Sequence, residues 1–141
     1  MFHTKTILLS ILFVFSWTQG ARAAIGQSSS VIATDCQEIN GSLSVVNQNG
    51  KYECRATGYT VDFYTNNQGL ITKITWQGRR TPPLAKLLGS YSAEYQAAFA
   101  KAPVKKGLAR SVHHETTNLI VRRAGHARLH IGEINLKTSG S

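Results

Sequence analysis

The feature that most restricts the fold of this 141-residue chain is an alternation of apolar and polar residues that short turn sequences interrupt. Between residues 43 and 76 apolar side chains recur at every second position, the period of a half-buried strand. Asn49-Gly50 and the cluster at residues 66–69 interrupt this alternation, and Asn-Gly is the strongest two-residue hairpin signal. The pattern predicts two hairpins, with Trp76 as an aromatic anchor of the core.

Helical spacing replaces the strand period in two places. A short N-terminal helix is predicted where Val31, Ile32, Cys36 and Ile39 precede Asn40-Gly41. A longer amphipathic helix is predicted from Thr81 as N-cap, with Pro82 at its tolerated first position and Gly89-Ser90 favouring a kink. Its apolar stripe is expected to cover one face of the sheet. The stripe consists of Leu84, Leu87, Leu88, Tyr91, Tyr95 and Phe99.

A final hairpin is predicted from residues 118–122 and 127–136, turning at residues 123–125. The apolar phase slips at Gly132, which favours a β-bulge there. Residues 101–110 are interpreted as a basic loop and residues 137–141 as a frayed tail. The elements together predict an α+β domain with an antiparallel sheet of about six strands in hairpins, one main amphipathic helix on one face and a short N-terminal helix.

The first 23 residues have the layout of a secretory signal peptide. Lys5 precedes an apolar run at residues 7–15, and Ala21-Arg22-Ala23 is a cleavage sequence that predicts processing before Ala24. At 1.5 Å per residue the run is too short to cross a hydrocarbon core of roughly 30 Å. Residues 24–141 are then expected to form a single small domain in the periplasm or outside the cell, without a transmembrane anchor after cleavage.

Cys36 and Cys54 are the only cysteines, and in an oxidising compartment they are expected to form a disulfide. Such a bridge stabilises a small domain by roughly 3 kcal/mol. A redox pair would favour the C-x-x-C spacing, and two cysteines without a neighbouring histidine supply half of a zinc shell. A structural bridge is therefore favoured over redox chemistry, a metal site or a catalytic thiol.

The positive charge of the chain is unevenly distributed. Sixteen Lys and Arg oppose seven Asp and Glu, a net charge of +9 that becomes +7 once Lys5 and Arg22 are removed with the signal peptide. Residues 24–72 carry two basic and four acidic side chains, whereas residues 73–141 carry twelve basic and three acidic ones. This distribution favours anionic partners. Export favours lipid headgroups, anionic envelope polymers or acidic proteins, and it argues against an intracellular nucleic acid.

Histidines are the first candidates for chemistry. If His126 and His130 lie on one strand, their Cα atoms are about 13 Å apart, too far for one metal ion at roughly 3.3 Å per residue. His113 and His114 are adjacent and would point to opposite faces of a strand. The seven acidic residues are scattered, and no nucleophile elbow or phosphate-binding glycine loop is present. The sequence therefore predicts neither a metal nor another cofactor, and it favours a protein that is not an enzyme.

Basic residues in the second half are candidates for binding anions. On one strand, His126, Arg128 and His130 would project from the same side, and the charge of the two histidines would rise as the pH falls through 6.5. Three basic doublets lie in predicted turns or loops, where binding residues are common, although solvated turns are often charged as well. The doublets are Arg79-Arg80, Lys105-Lys106 and Arg122-Arg123.

Several motifs between residues 69 and 132 resemble an exported proteobacterial family, the one catalogued as domain of unknown function 2844. The resemblance rests on three elements in order and spacing: the W-x-G at Trp76, the LLG-x-Y at residues 87–91, and the G-H-x-R at residues 125–128. It implies a bacterial envelope location. The family has no assigned activity, so the resemblance implies no catalytic residues. The chain departs from the family pattern at Pro83 and Ala127, and the cysteine pair is not part of that pattern.

Two hypotheses follow from the sequence. The first is a periplasmic or secreted binding or structural module without catalysis, whose basic half faces an anionic envelope component or an acidic protein. The second is a small envelope enzyme using His126 or His130. The second requires an acid, a serine or another histidine within hydrogen-bond reach of either imidazole.

Overall fold

A computed structural model describes residues 24–47, 50–101, 111–126 and 128–137 of the chain. The predicted signal peptide, most of the basic connector and the last four residues lie outside these ranges. A 3-10 turn at Ser29–Val31 leads into helix α1, and a second one at Gly89–Tyr91 separates α2 from α3. The helices are α1 (Ile32–Glu38), α2 (Leu84–Leu88) and α3 (Ser92–Lys101). The strands are β1 (Ser42–Asn47), β2 (Lys51–Ala56), β3 (Tyr59–Thr65), β4 (Ile71–Gly78), β5 (Ser111–Glu115), β6 (Leu119–His126) and β7 (Leu129–Leu136).

The strands form one antiparallel sheet in the order β1-β2-β3-β4-β7-β6-β5. The first four are neighbours in sequence and in space, as the hairpin pattern predicts. Strand β7 then pairs with β4, so that the last hairpin extends the same sheet. An α+β fold with an antiparallel sheet is thus present, with seven strands in the described residues rather than six. The additional strand, β5, has the polar sequence SVHHE and carries no apolar alternation that could identify it.

The helices cover one face of the sheet, which we call the helix face; we call the opposite one the outer face. The core on the helix face consists of alternate strand residues packed against apolar helix residues. Ile74, Ile134 and Val121 lie opposite one another on adjacent strands and are fully buried. Trp76 is 3% exposed in this core.

The long amphipathic helix is interrupted. The segment forms α2, a 3-10 turn and α3, because Gly89 has a φ of +54°, a conformation that glycine tolerates best. The predicted apolar stripe is only partly buried. Leu87, Leu88 and Tyr95 belong to the core, whereas Phe99 is exposed.

The register of the last hairpin differs from the sequence prediction in two respects. β6 continues to His126, which pairs with Leu129, so the strands do not turn at residues 123–125. The predicted bulge at Gly132 is also absent, since Gly132 pairs in continuous register with Arg123 on one side and Trp76 on the other. The apolar positions change from odd-numbered to even-numbered residues at Gly132 because Leu129 and Ile131 lie on the outer face, whereas Ile134 lies in the core.

Cys36 and Cys54 form a disulfide, with Cα atoms 5.9 Å apart. The predicted bridge is therefore present. It joins α1 to β2, and both cysteines are buried.

Candidate functional site

Five basic side chains lie at one end of the sheet, and we call this surface the basic end. Gly78 at the end of β4 pairs with His130, which also pairs with Gly125 of β6. The next residues beyond these three positions are Arg79, Leu129 and His126. They therefore lie on neighbouring strands, which are roughly 4.8 Å apart. The basic end consists of Arg79, Arg80, His126, Arg128 and His130.

The β2–β3 turn fixes the backbone of Arg79 and Arg80. The backbone amides of Arg79 and Arg80 donate to the carbonyl of Gly58, in the β2–β3 turn, at 2.7 and 3.2 Å. The Arg80 side chain also packs against Gly58, where a Cβ atom would lie 3.1 Å from Arg80 Cδ. The doublet is thus anchored by its backbone, and both arginines are exposed.

The basic end contrasts with five other basic residues of the described ranges, although Lys86 and Arg123 also form no ion pair there. Within those ranges no carboxylate forms an ion pair with Arg79, Arg80 or Arg128. The segments around this end of the sheet also contain no Asp or Glu in their sequence; they are residues 55–60, 77–81 and 124–131. Elsewhere, five basic side chains each lie beside a carboxylate. The pairs are Lys51–Asp62, Arg55–Glu53, Lys73–Glu133, Arg122–Glu133 and Lys137–Glu115.

The two basic doublets of the described residues have different environments. Arg122 points to the outer face, where its Nη1 donates to Glu133 Oε1 at 3.0 Å. Arg123 points to the helix face, and its guanidinium lies 5.5 Å from the centre of the Phe99 ring. The doublet at residues 122–123 therefore does not present two free cations together. Lys105 and Lys106 lie outside the described residues.

The predicted strip of His126, Arg128 and His130 on one strand face is wrong. His126 ends β6 and pairs with Leu129, so its side chain is on the outer face. His130 lies in β7 and pairs with Gly125 on the helix face, where a Cβ atom on Gly125 would lie 2.7 Å from His130 Nδ1. The two imidazoles flank the end of the sheet from opposite faces.

Neither imidazole has the partner that the enzyme hypothesis requires among the described residues. Nδ1 of His126 accepts a hydrogen bond from the backbone amide of Arg128 at 3.5 Å, and no side-chain partner of either histidine is present there. The same residues hold no group of three or more His, Cys, Asp or Glu side chains that could bind a metal ion.

An open depression of about 620 Å³ lies on the outer face, over the half of the sheet that contains β5, β6 and β7. Its central carboxylate, Glu133, lies 3.0 Å from Arg122 Nη1 and 3.7 Å from Lys73 Nζ. Since these charges already neutralise one another in part, the depression is a weaker candidate for an anion than the basic end.

His114 lies in a partly buried, aromatic environment. It points to the helix face, 5.7 Å from the Tyr95 ring and 5.2 Å from the Phe99 ring. Burial lowers its pKa, and the neighbouring charges of Arg123 and His113 lower it further. Its buried Nε2 and the buried hydroxyl of Tyr95 have no hydrogen-bond partner among the described residues. The sequence places His113 and His114 on opposite faces of a strand, as the register shows, but it does not reveal the aromatic contacts of His114, because β5 has no apolar pattern.

Acidification is expected to loosen α3 from the sheet in two stages. The pKa of His114 is lowered from 6.5, so the stability that depends on its neutral form is present above 6.5 and is lost as the pH falls through the lowered value. The pKa of Glu94 in α3 is lowered from 4.5, chiefly by a hydrogen bond from the Thr116 side chain, so its contribution is lost at a lower pH.

Urea unfolding at pH 7.5, 5.5 and 4.0 would measure both stages. His114→Gln should remove the loss of stability between pH 7.5 and 5.5 and retain the loss near pH 4. The exposed neighbour His113 provides the control, since His113→Gln should retain both. An unchanged midpoint between pH 7.5 and 5.5 in the unsubstituted protein would contradict the first stage.

These features define a small antiparallel α+β domain with a disulfide and a cationic surface at one end of its sheet. Within the described ranges no helix is long and apolar enough to cross a membrane. The chain belongs to the family described as "Protein of unknown function (DUF2844)", whose model matches residues 21–138. Searches among curated proteins and among solved structures found no match to the chain.

Proposed function

We propose that this chain is an exported bacterial protein whose domain, residues 24–141, binds an anionic component of the cell envelope without catalysis of its own. Residues 1–23 would act as the signal peptide and be removed, leaving the domain in the periplasm or outside the cell. The disulfide is compatible with this location, because disulfides persist in oxidising compartments.

The observation that carries the binding role is the location of unpaired positive charge. Lys51, Arg55, Lys73, Arg122 and Lys137 each lie beside a carboxylate, whereas Arg79, Arg80 and Arg128 do not within the described ranges. An unpaired guanidinium offers up to five N–H donors in a planar fork that matches phosphate, sulfate and carboxylate groups. The pairing of Gly78 with His130 places Arg79-Arg80 and Arg128 at the same end of the neighbouring strands β4 and β7.

Retention on a heparin column tests this proposal, with heparin as the polyanionic probe. The mature domain should be retained at low salt and released well before 0.5 M salt, because the screening length between exposed charges falls from about 10 Å at 0.1 M to about 4 Å at 0.5 M. Neutralising the doublet with Arg79→Gln and Arg80→Gln should lower the salt concentration needed for elution by about half. Immobilised lipopolysaccharide provides a second anionic probe.

The matched control removes the same net charge elsewhere. The Lys86→Gln, Lys137→Gln double variant should elute near the unsubstituted protein. Lys86 lies in α2 and is not part of the basic end, and Lys137 is paired with Glu115. Equal losses in both double variants would mean that net charge alone governs retention. Retention that does not change between low salt and 0.5 M salt would contradict an electrostatic mode.

A further inference from the structure

Two exposed apolar side chains adjoin the basic end on the outer face of the sheet. Leu129 is 42% exposed and Ile131 is 44% exposed. They are alternate residues of β7, so both side chains project from the same face. Single exposed apolar residues are common on protein surfaces, but a neighbouring pair beside unpaired cations is a more specific arrangement.

The register places Leu129 within the basic residues. Arg128 precedes it in the chain, and His126 lies opposite it in β6. Because Gly78 pairs with His130, Arg79 and Leu129 are the next residues beyond that pair on β4 and β7. Leu129 at the start of β7 thus has basic neighbours along the chain and on both adjacent strands.

We infer that this end of the sheet is a contact surface for an anionic membrane, with Leu129 and Ile131 entering the headgroup region of one leaflet. Arg79, Arg80 and Arg128 would contact lipid phosphates around them. The protein would lie on the membrane and not span it. This inference rests on the proposed function and specifies its partner as a lipid surface.

The combination of charge and apolar area favours a lipid surface over a soluble polyanion. A polyanion would interact with the arginines and leave Leu129 and Ile131 in water. A bilayer interface accepts apolar side chains while its anionic headgroups attract the basic residues nearby. Each basic residue near an anionic leaflet contributes roughly a fivefold gain in partitioning. Burial of apolar side chains adds to this gain and is insensitive to charge.

Co-sedimentation with lipid vesicles tests the inference. One set of vesicles contains equal parts of phosphatidylglycerol and phosphatidylcholine, and the other contains phosphatidylcholine alone. The mature domain should bind the anionic vesicles at least tenfold more strongly than the neutral ones. Leu129→Ser with Ile131→Ser should weaken binding to the anionic vesicles about tenfold and leave heparin retention unchanged.

Leu70 provides the matched control, because it is 37% exposed and lies before the start of β4, at the opposite end of that strand from Gly78. Leu70→Ser should bind both vesicle types as the unsubstituted protein does. If the Leu129 and Ile131 double variant retains full binding to anionic vesicles, the inference is wrong. The proposed function fails separately, if Arg79→Gln with Arg80→Gln leaves heparin retention unchanged.

A tryptophan probe provides a second readout that does not depend on loss of binding. Trp76 is buried, so Leu129→Trp would add one exposed indole to the mature domain. Its emission should shift to shorter wavelength with anionic vesicles and stay unchanged with heparin. Binding to the vesicles without a shift in emission would overturn insertion of Leu129.

Discussion

Replacing Gly132 with alanine is expected to lower the free energy of unfolding by about 3 kcal/mol, the upper part of the range for overpacked cores. A Cβ atom at this position would lie 2.1 Å from Cζ2 of Trp76 and 2.5 Å from Cε2. The indole is buried among core residues and Gly132 is in the middle of β7, so neither the ring nor the strand can move without disturbing neighbours.

Urea unfolding of a double-mutant cycle isolates this contact. In a Trp76→Leu background the added methyl group meets a smaller side chain, so Gly132→Ala should cost less than about 1 kcal/mol there. Ile131→Ala, on the same strand but on the outer face, controls for substitution in β7 and should cost about 1 kcal/mol or less. Equal costs of Gly132→Ala in both backgrounds would contradict the proposed role of the indole.

Gly132 also accounts for the wrong register predicted for the last hairpin. The apolar phase changes at Gly132, and a bulge is one way to keep every apolar side chain in the core. The strand instead keeps its register and exposes Leu129 and Ile131 on the outer face. Periodicity reports which residues share a face, but it does not report which face the helices cover.

The first four strands could be predicted because their signals are local. Two turn sequences, at residues 49–50 and 66–69, separate clear alternations, and sequential strands pair as hairpins. Strand β5 could not be predicted in this way. It lies at the edge of the sheet, and its polar sequence reflects the exposure of alternate residues.

The basic end could not be predicted from local sequence, because it forms only when two strands that are distant in the chain pair with each other. The doublet at Arg79-Arg80 follows β4, whereas Arg128 lies about fifty residues later, and only the pairing of β4 with β7 brings them together. The sequence does identify all five residues as candidates for binding anions. It also identifies Arg122 and Arg123, which the alternation of side chains directs to opposite faces of β6.

Reduction of the Cys36–Cys54 disulfide is expected to lower the free energy of unfolding by about 3 kcal/mol, the value for a loop of this size. Helix α1 has seven residues, too few to be stable alone, and it reaches the sheet through buried Ile32 and the disulfide. Without the bridge, α1 should therefore separate from β2 before the rest of the sheet unfolds.

Urea unfolding with and without reductant measures this effect, and the Cys36→Ala, Cys54→Ala double variant is the control that reductant should not affect. Gly41→Ala offers an independent check, since a Cβ atom there would lie 2.5 Å from Cys54 Sγ and 2.9 Å from Cys36 Sγ. This variant should oxidise less completely. Equal stability of the oxidised and reduced forms would contradict this prediction and show that packing of α1 against the sheet suffices without the bridge.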